Sequence, residues 1–363
     1  MFRRLPSISN SLCKHAFSGV KVPTRGLINT AGIEKAHCAL LFPGQGAQYI
    51  GMGKDLYNEF PAAKRVFDEV NDTLSLNLSE LMFDGEAEEL TLTKNAQPAI
   101  LAHSIAILRV LEEEFAFKIE EISSYVLGHS LGEYTALVAA KSLSLADAVK
   151  LVRLRGQAMQ ESVSGQNPTA MSALVIRKKK IEEIEVALEN FRKELPEGEH
   201  VQLANINSSF QVVISGTSKG VDAASHYLQV ERMAARAVDL PVSAPFHCDL
   251  MKPAAEVMKE ALKAIEFKEP IVNVIANVTG KPIKSKEEIP ELLYQQVTGT
   301  VQWHRSIQYC KTAAIDDWVS FGPGRVLANL IKKEHPLDKI RPITSADDIF
   351  THAEYFKLAT KST

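Results

Sequence analysis

The 363-residue sequence is poor in cysteine and tryptophan, with four of the first and two of the second. Cys13, Cys38, Cys248 and Cys310 are too scattered for a disulfide framework and form no C-x-x-C pair. No metal site is expected, and a reducing compartment fits. No stretch approaches the roughly 18 consecutive apolar residues of a membrane span, so no integral membrane segment is expected. A phosphate-binding G-x-x-x-x-G-K-[ST] loop is absent too: Gly53-Lys54 is followed by Asp55, and Gln48 stands where the first glycine belongs. Gly44 and Gly46 open a glycine-rich turn, but Tyr49 occupies the third glycine position of a dinucleotide fingerprint. With 45% hydrophobic and 23% charged residues, the chain can bury one large core plus a smaller unit.

Acidic residues are missing from the first 32 positions, which carry Arg3, Arg4, Lys14, Lys21 and Arg25 and serines at 7, 9, 11 and 18. This basic, serine-rich stretch without an apolar core segment has the composition of an organelle transit peptide. Without those five basic residues the formal balance moves from −3 to −8, and an acidic protein offers nothing to nucleic acid.

Short apolar runs alternate with amphipathic stretches, the signature of an α/β protein. Strands are expected at 37–42, 124–127, 271–276 and 315–321, and helices at 98–111, 133–140, 145–161 and 251–266. The segment 281–290 reads as a charged loop. Between 171 and 240 the order strand, helix, strand, strand, helix, strand gives the βαββαβ pattern of a ferredoxin-like insertion. The expected organisation is a leader over 1–32, a catalytic domain over 33–168 and 241–345, a small domain over 169–240, and a tail over 346–363 carrying little signal.

Gly128-His129-Ser130-Leu131-Gly132 is a G-x-S-x-G nucleophile elbow with a strand before it and a helix after it. Its glycines permit a sharp turn that sets the Ser130 hydroxyl at a helix N-terminus, where free N–H groups can stabilise an oxyanion. A serine hydroxyl needs a base. His247, in Ala244-Pro245-Phe246-His247-Cys248, follows the last strand of the insertion and is the candidate; His129 would point away from the hydroxyl and reads as structural. On the helix 145–161, Arg155 falls within the apolar stripe Ala148, Leu151, Val152, Ala158, Met159, whereas Arg153 falls on the wet face. A buried guanidinium requires an anion, either a substrate carboxylate or an internal Asp or Glu.

Phe42-Pro43-Gly44-Gln45-Gly46, Gly128 to Tyr134, Arg153-Leu154-Arg155-Gly156, Ala244 to Cys248, Val301-Gln302-Trp303 and Gly322-Pro323-Gly324 occur in the order and approximate spacing of malonyl-CoA:acyl carrier protein transacylases. The chain resembles that family over about residues 37–335, and with its leader it looks like a mitochondrial-matrix member. The resemblance implies an α/β-hydrolase-like catalytic domain with a parallel sheet. It implies acylation of Ser130, His247 as base, and the malonyl carboxylate paired with Arg155. Backbone N–H groups of Gln45 and Leu131 would form the oxyanion hole, and the main-chain carbonyl of Gln296 would orient His247, so that neither Asp239 nor Asp249 is needed. The implied partners are malonyl-CoA and acyl carrier protein, with no cofactor beyond the CoA thioester substrate and a monomer as working unit. Lys332-Lys333 and Arg177-Lys178-Lys179-Lys180 are candidate docking patches. Phe246 resembles malonyl-selective members, while Asn207-Ser208-Ser209-Phe210 departs from the usual turn. The competing readings are a serine esterase or thioesterase on the same elbow, and an inactive scaffold that binds acyl carrier protein.

Overall fold

The computed structural model describes residues 38–163, 167–176 and 181–359. The leader and the run Arg177 to Lys180 lie outside these residues.

Five strands form the parallel part of the larger sheet: β1 (Cys38–Phe42), β2 (Tyr125–Gly128), β7 (Asn273–Ala276), β9 (Asp317–Phe321) and β10 (Lys339–Ile343). The order is β10-β9-β1-β2-β7, and the two-residue β8 (Lys281–Pro282) closes the edge antiparallel to β7. The apolar runs reflect burial on both faces. Leu40 and Phe42 of β1 enter one core cluster with Val126, Val274, Val319 and Phe321. Their neighbours Ala39 and Leu41 enter another with Leu127, Ile275 and Trp318. A strand covered on both sides has no solvent face to alternate with, hence the uninterrupted CALLF.

The second sheet carries β3 (Thr169–Ile176), β4 (Val201–Ser208), β5 (Gln211–Thr217) and β6 (Ala234–Asp239), all antiparallel in the order β4-β5-β3-β6. Helices Ile181–Lys193 and Ser218–Val230 cover one face through Ile184, Leu188, Val221 and Leu228 against Leu174, Ile206 and Ile214. The opposite face does not end in solvent: Met171, Ala204 and Val213 join the main core. The described residues cluster as one compact unit, the small sheet included.

Several elements differ from the sequence reading. The long helix Thr93–Glu114 begins five residues before the expected start and holds Pro98 inside it; the ring has no N–H to offer Lys94 O, which accepts from Arg153 Nη1 instead. The expected charged loop 281–290 holds β8, a 3₁₀ turn at Lys286–Glu288 and the start of helix Ile289–Thr298. The expected tail is helical over 346–359: helices Ala346–Thr351 and Ala353–Ala359 follow β10, and Phe356, 0% exposed, lies 5.7 Å from Phe117 and 6.4 Å from Phe321, ring centre to ring centre. Its apolar content was too short to show periodicity. Among the described residues no helix is long and apolar enough to cross a membrane.

Candidate active site

The carboxyl ends of β1, β2 and β7 lie side by side, the position where open parallel sheets gather ligands. β2 ends at Gly128 and turns into the elbow helix Gly132–Ala139. A Cβ on Gly128 would sit 1.8 Å from the Gly132 carbonyl, and one on Gly132 would sit 2.3 Å from Phe42 O, so the motif glycines answer to space. Between them Ser130 takes φ 54°. For a residue with a Cβ this left-handed geometry costs roughly 1–2 kcal/mol, and surrounding bonds must hold it. Asn277, immediately after β7, supplies two: its Oδ1 accepts from Ser130 N at 2.7 Å and its Nδ2 donates to Gly128 O at 2.7 Å.

His247 stands in the turn after β6, itself at φ 59°. Its Nε2 is 2.8 Å from Ser130 Oγ, and its Nδ1 is 2.9 Å from the main-chain oxygen of Gln296. A carbonyl accepts only, so Nδ1 carries the proton and Nε2 is left to accept one from the serine. Burial, reinforced by the Arg155 charge, pushes the imidazole down to about 3, which keeps it a neutral base. Asp249 is engaged with Arg192 and Lys252, and Asp239 is exposed. Among the described residues no carboxylate completes the set; the Gln296 carbonyl does.

Arg155 is 2% exposed in the middle of helix Leu145–Glu161. Its Nη1 donates to Gln97 Oε1 at 2.8 Å, and its Nη2 donates to Gln296 Oε1 at 2.8 Å and Ser130 Oγ at 3.2 Å. Among the described residues it forms no ion pair, and its Nε has no partner. Burial depresses its pKa, with Tyr134 and Glu133 pulling the other way. A guanidinium held by neutral amides next to a nucleophile is a site for an incoming anion. Arg153, expected on the wet face, is instead half-buried and donates to Lys94 O and Asn95 Oδ1.

Ser130, His247, Arg155 and Gln296 are thus brought together. Leu131 N–H, at the start of the elbow helix, has no acceptor among the described residues, and neither has Gln45 N–H in the loop after β1. The Gln45 side chain is fastened by Thr93, which in turn accepts from Gln97 Nε2 at 3.0 Å. His129 keeps to the back of the turn, with Nε2 3.0 Å from Asn207 Oδ1 and its ring 5.5 Å from Trp303. Lys332 and Lys333 are exposed, and the Lys333 ammonium lies 4.0 Å from the Phe210 ring centre. Sequence reasoning missed Asn277, Gln97 and Glu133. Asn277 was the most accessible of them, a polar residue ending an apolar strand. Gln97 sits just before the expected helix start. Among the described residues no cluster of three or more His, Cys, Asp or Glu is placed to hold a metal.

A model of the acyl transferase domain matches residues 39–333. The malonyl CoA-acyl carrier protein transacylase of Bacillus subtilis (strain 168) is 48% identical over 296 residues, 81% of this chain and 89% of that protein. The crystal structure of acyl-carrier-protein-S-malonyltransferase from Bartonella henselae superposes with TM-score 0.81 at 42% identity, covering 88% of this chain and 99% of that one. A malonyl-transacylase solved in complex with its type II PKS acyl-carrier protein superposes with TM-score 0.80 at 37% identity, covering 88% of this chain and 99% of that one.

Proposed function

The chain belongs to the acyl transferase family, among the malonyl-CoA:acyl carrier protein transacylases, and from that premise we propose that it carries a malonyl group from CoA to the phosphopantetheine thiol of acyl carrier protein through an ester on Ser130. It is an acyltransferase. His247 Nε2 takes the Ser130 proton as Oγ attacks the thioester carbonyl, and the oxyanion is met by the N–H groups of Gln45 and Leu131. Collapse breaks the C–S bond, and the CoA sulfur leaves with the proton from His247. The carrier thiol then gives its proton to His247 and attacks the ester, and Ser130 regains its hydrogen as the thioester departs. Every proton and electron pair is accounted for by two thiols, one hydroxyl and one imidazole, so the scheme needs no cofactor.

One observation carries the choice of acyl group: Arg155 is buried, is paired with no carboxylate among the described residues, and points Nη2 at Ser130 Oγ. A hydrolase of neutral esters has no use for that cation. A single copy holds nucleophile, base and arginine within one site, and the working unit we propose is a monomer. The strand orders support an α/β-hydrolase-like catalytic sheet and a ferredoxin-like small one. The basic, acid-free leader supports delivery to the mitochondrial matrix, where the product would feed fatty acid synthesis.

The test is mass spectrometry after incubation with malonyl-CoA. A gain of one malonyl group on the wild type, absent in Ser130→Ala and released by holo acyl carrier protein but not by water, is expected. Rapid release by water alone would favour the thioesterase reading.

A further inference from the structure

Glu133 is a carboxyl group enclosed in the core with half of its hydrogen-bonding capacity unused. It lies in the first turn of the elbow helix and is 0% exposed. Its Oε2 accepts from Gln296 Nε2 at 2.7 Å and from the Asn277 backbone N–H at 3.3 Å, while its Oε1 has no partner among the described residues. Among the described residues no cation bridges it directly, and burial raises it to about 7, yet in either protonation state Oε2 remains free to accept.

What Oε2 does is legible in Gln296. That side chain also donates from Nε2 to Ser130 O at 2.8 Å and accepts at Oε1 from Arg155 Nη2. An amide has one accepting and one donating end, so rotating it by half a turn would press NH₂ against the guanidinium and bring its oxygen against two acceptors. Arg155 opposes that rotation from one side. On the other side stand Ser130 O, a backbone atom of the strained turn, and Glu133.

We propose that Glu133 is a positioning residue: it locks the Gln296 amide with its oxygen toward Arg155 and so keeps the guanidinium turned to the Ser130 hydroxyl, where the acidic acyl group is selected. The inference rests on the reading of Arg155 as the carboxylate anchor. The Glu133 side chain bonds neither the Ser130 hydroxyl nor the His247 ring, and its effect falls on recognition more than on the chemical step. Glutamine at 133 still offers an accepting oxygen to Gln296 and Asn277; alanine offers none.

The experiment measures transfer to holo acyl carrier protein from malonyl-CoA and from acetyl-CoA, the same thioester without the carboxylate, for the full-length enzyme, Glu133→Ala, Glu133→Gln, Arg155→Ala and the double variant Glu133→Ala/Arg155→Ala. Loss of one buried hydrogen bond to the amide should raise the malonyl-CoA KM of Glu133→Ala about tenfold, leave acetyl transfer within about twofold, and be largely restored in Glu133→Gln. The double variant should discriminate no worse than Arg155→Ala. Parallel loss with both substrates at unchanged KM, or a further tenfold loss in the double variant, overturns the proposal. An unchanged malonyl-to-acetyl ratio in Arg155→Ala overturns the anchor reading, and this inference with it. If circular dichroism shows Glu133→Ala unfolded, Glu133→Met, equally unable to accept but of similar length, carries the same comparison.

Discussion

Replacing Arg155 by methionine removes the charge and keeps most of the volume of the side chain. The structure sets the size of the effect. Nη1 and Nη2 are supported from behind by Gln97 and Gln296, each at 2.8 Å, so the fork is held ready before any substrate arrives. Two charge-assisted hydrogen bonds from such a fork to a carboxylate are worth about 1.5–3 kcal/mol each, about 3–6 kcal/mol together. At ~1.36 kcal/mol per tenfold, malonyl kcat/KM should fall by about 10²–10⁴. Acetyl-CoA makes no such bonds, so its kcat/KM should change by less than about fivefold, and the preference for malonyl should collapse. Folding stability should move little. Two buried amide oxygens lose a donor, at about 1–3 kcal/mol each, while a desolvated charge whose burial costs several kcal/mol is removed. Steady-state transfer with both thioesters, alongside a urea melt, measures all three quantities. Equal loss with malonyl- and acetyl-CoA, or malonyl loading intact with a lowered melt, would refute the reasoning and return Arg155 to a structural role.

Three further outcomes follow from the structure. His247 is active when neutral, and its folded pKa of about 3 lies below the ordinary 6.5, so the active form persists as pH falls; kcat/KM for acylation should show no inflection near 6.5 in a pH titration down to about 5. The same shift withdraws stability as pH drops below 6.5 toward 3, since the unfolded imidazole takes up a proton that the folded one refuses. In the C-terminal helix, Phe356→Ala should cost about 3–5 kcal/mol in a denaturant melt, because the ring is fully enclosed among Phe115, Phe117 and Phe321. A loss below about 1 kcal/mol would show the C-terminal helices to be dispensable.

Much of this was written in one dimension. The run before Gly128 is apolar without alternation because its strand is covered on both faces, and that composition survives in any listing of the residues. The glycines flanking Ser130 report a turn too tight for a Cβ. Arg155 was visible because 3.6-residue periodicity places it in an apolar stripe, a property of the helix alone. What decided between a substrate anion and an internal carboxylate was not local. Glu133 lies near enough to influence Arg155 through space, yet the guanidinium binds Gln97, Gln296 and Ser130, residues 58, 141 and 25 positions away. Asn277 and Gln296 escaped derivation from pattern for the same reason. Asn277 acts through contacts made when the carboxyl ends of β2 and β7 are brought together, and Gln296, on helix Ile289–Thr298, orients His247 with a backbone carbonyl that every residue possesses. Periodicity and turn chemistry are carried by neighbours in the chain and can be read there. Hydrogen bonds across the sheet depend on register and distance, and only folding sets those.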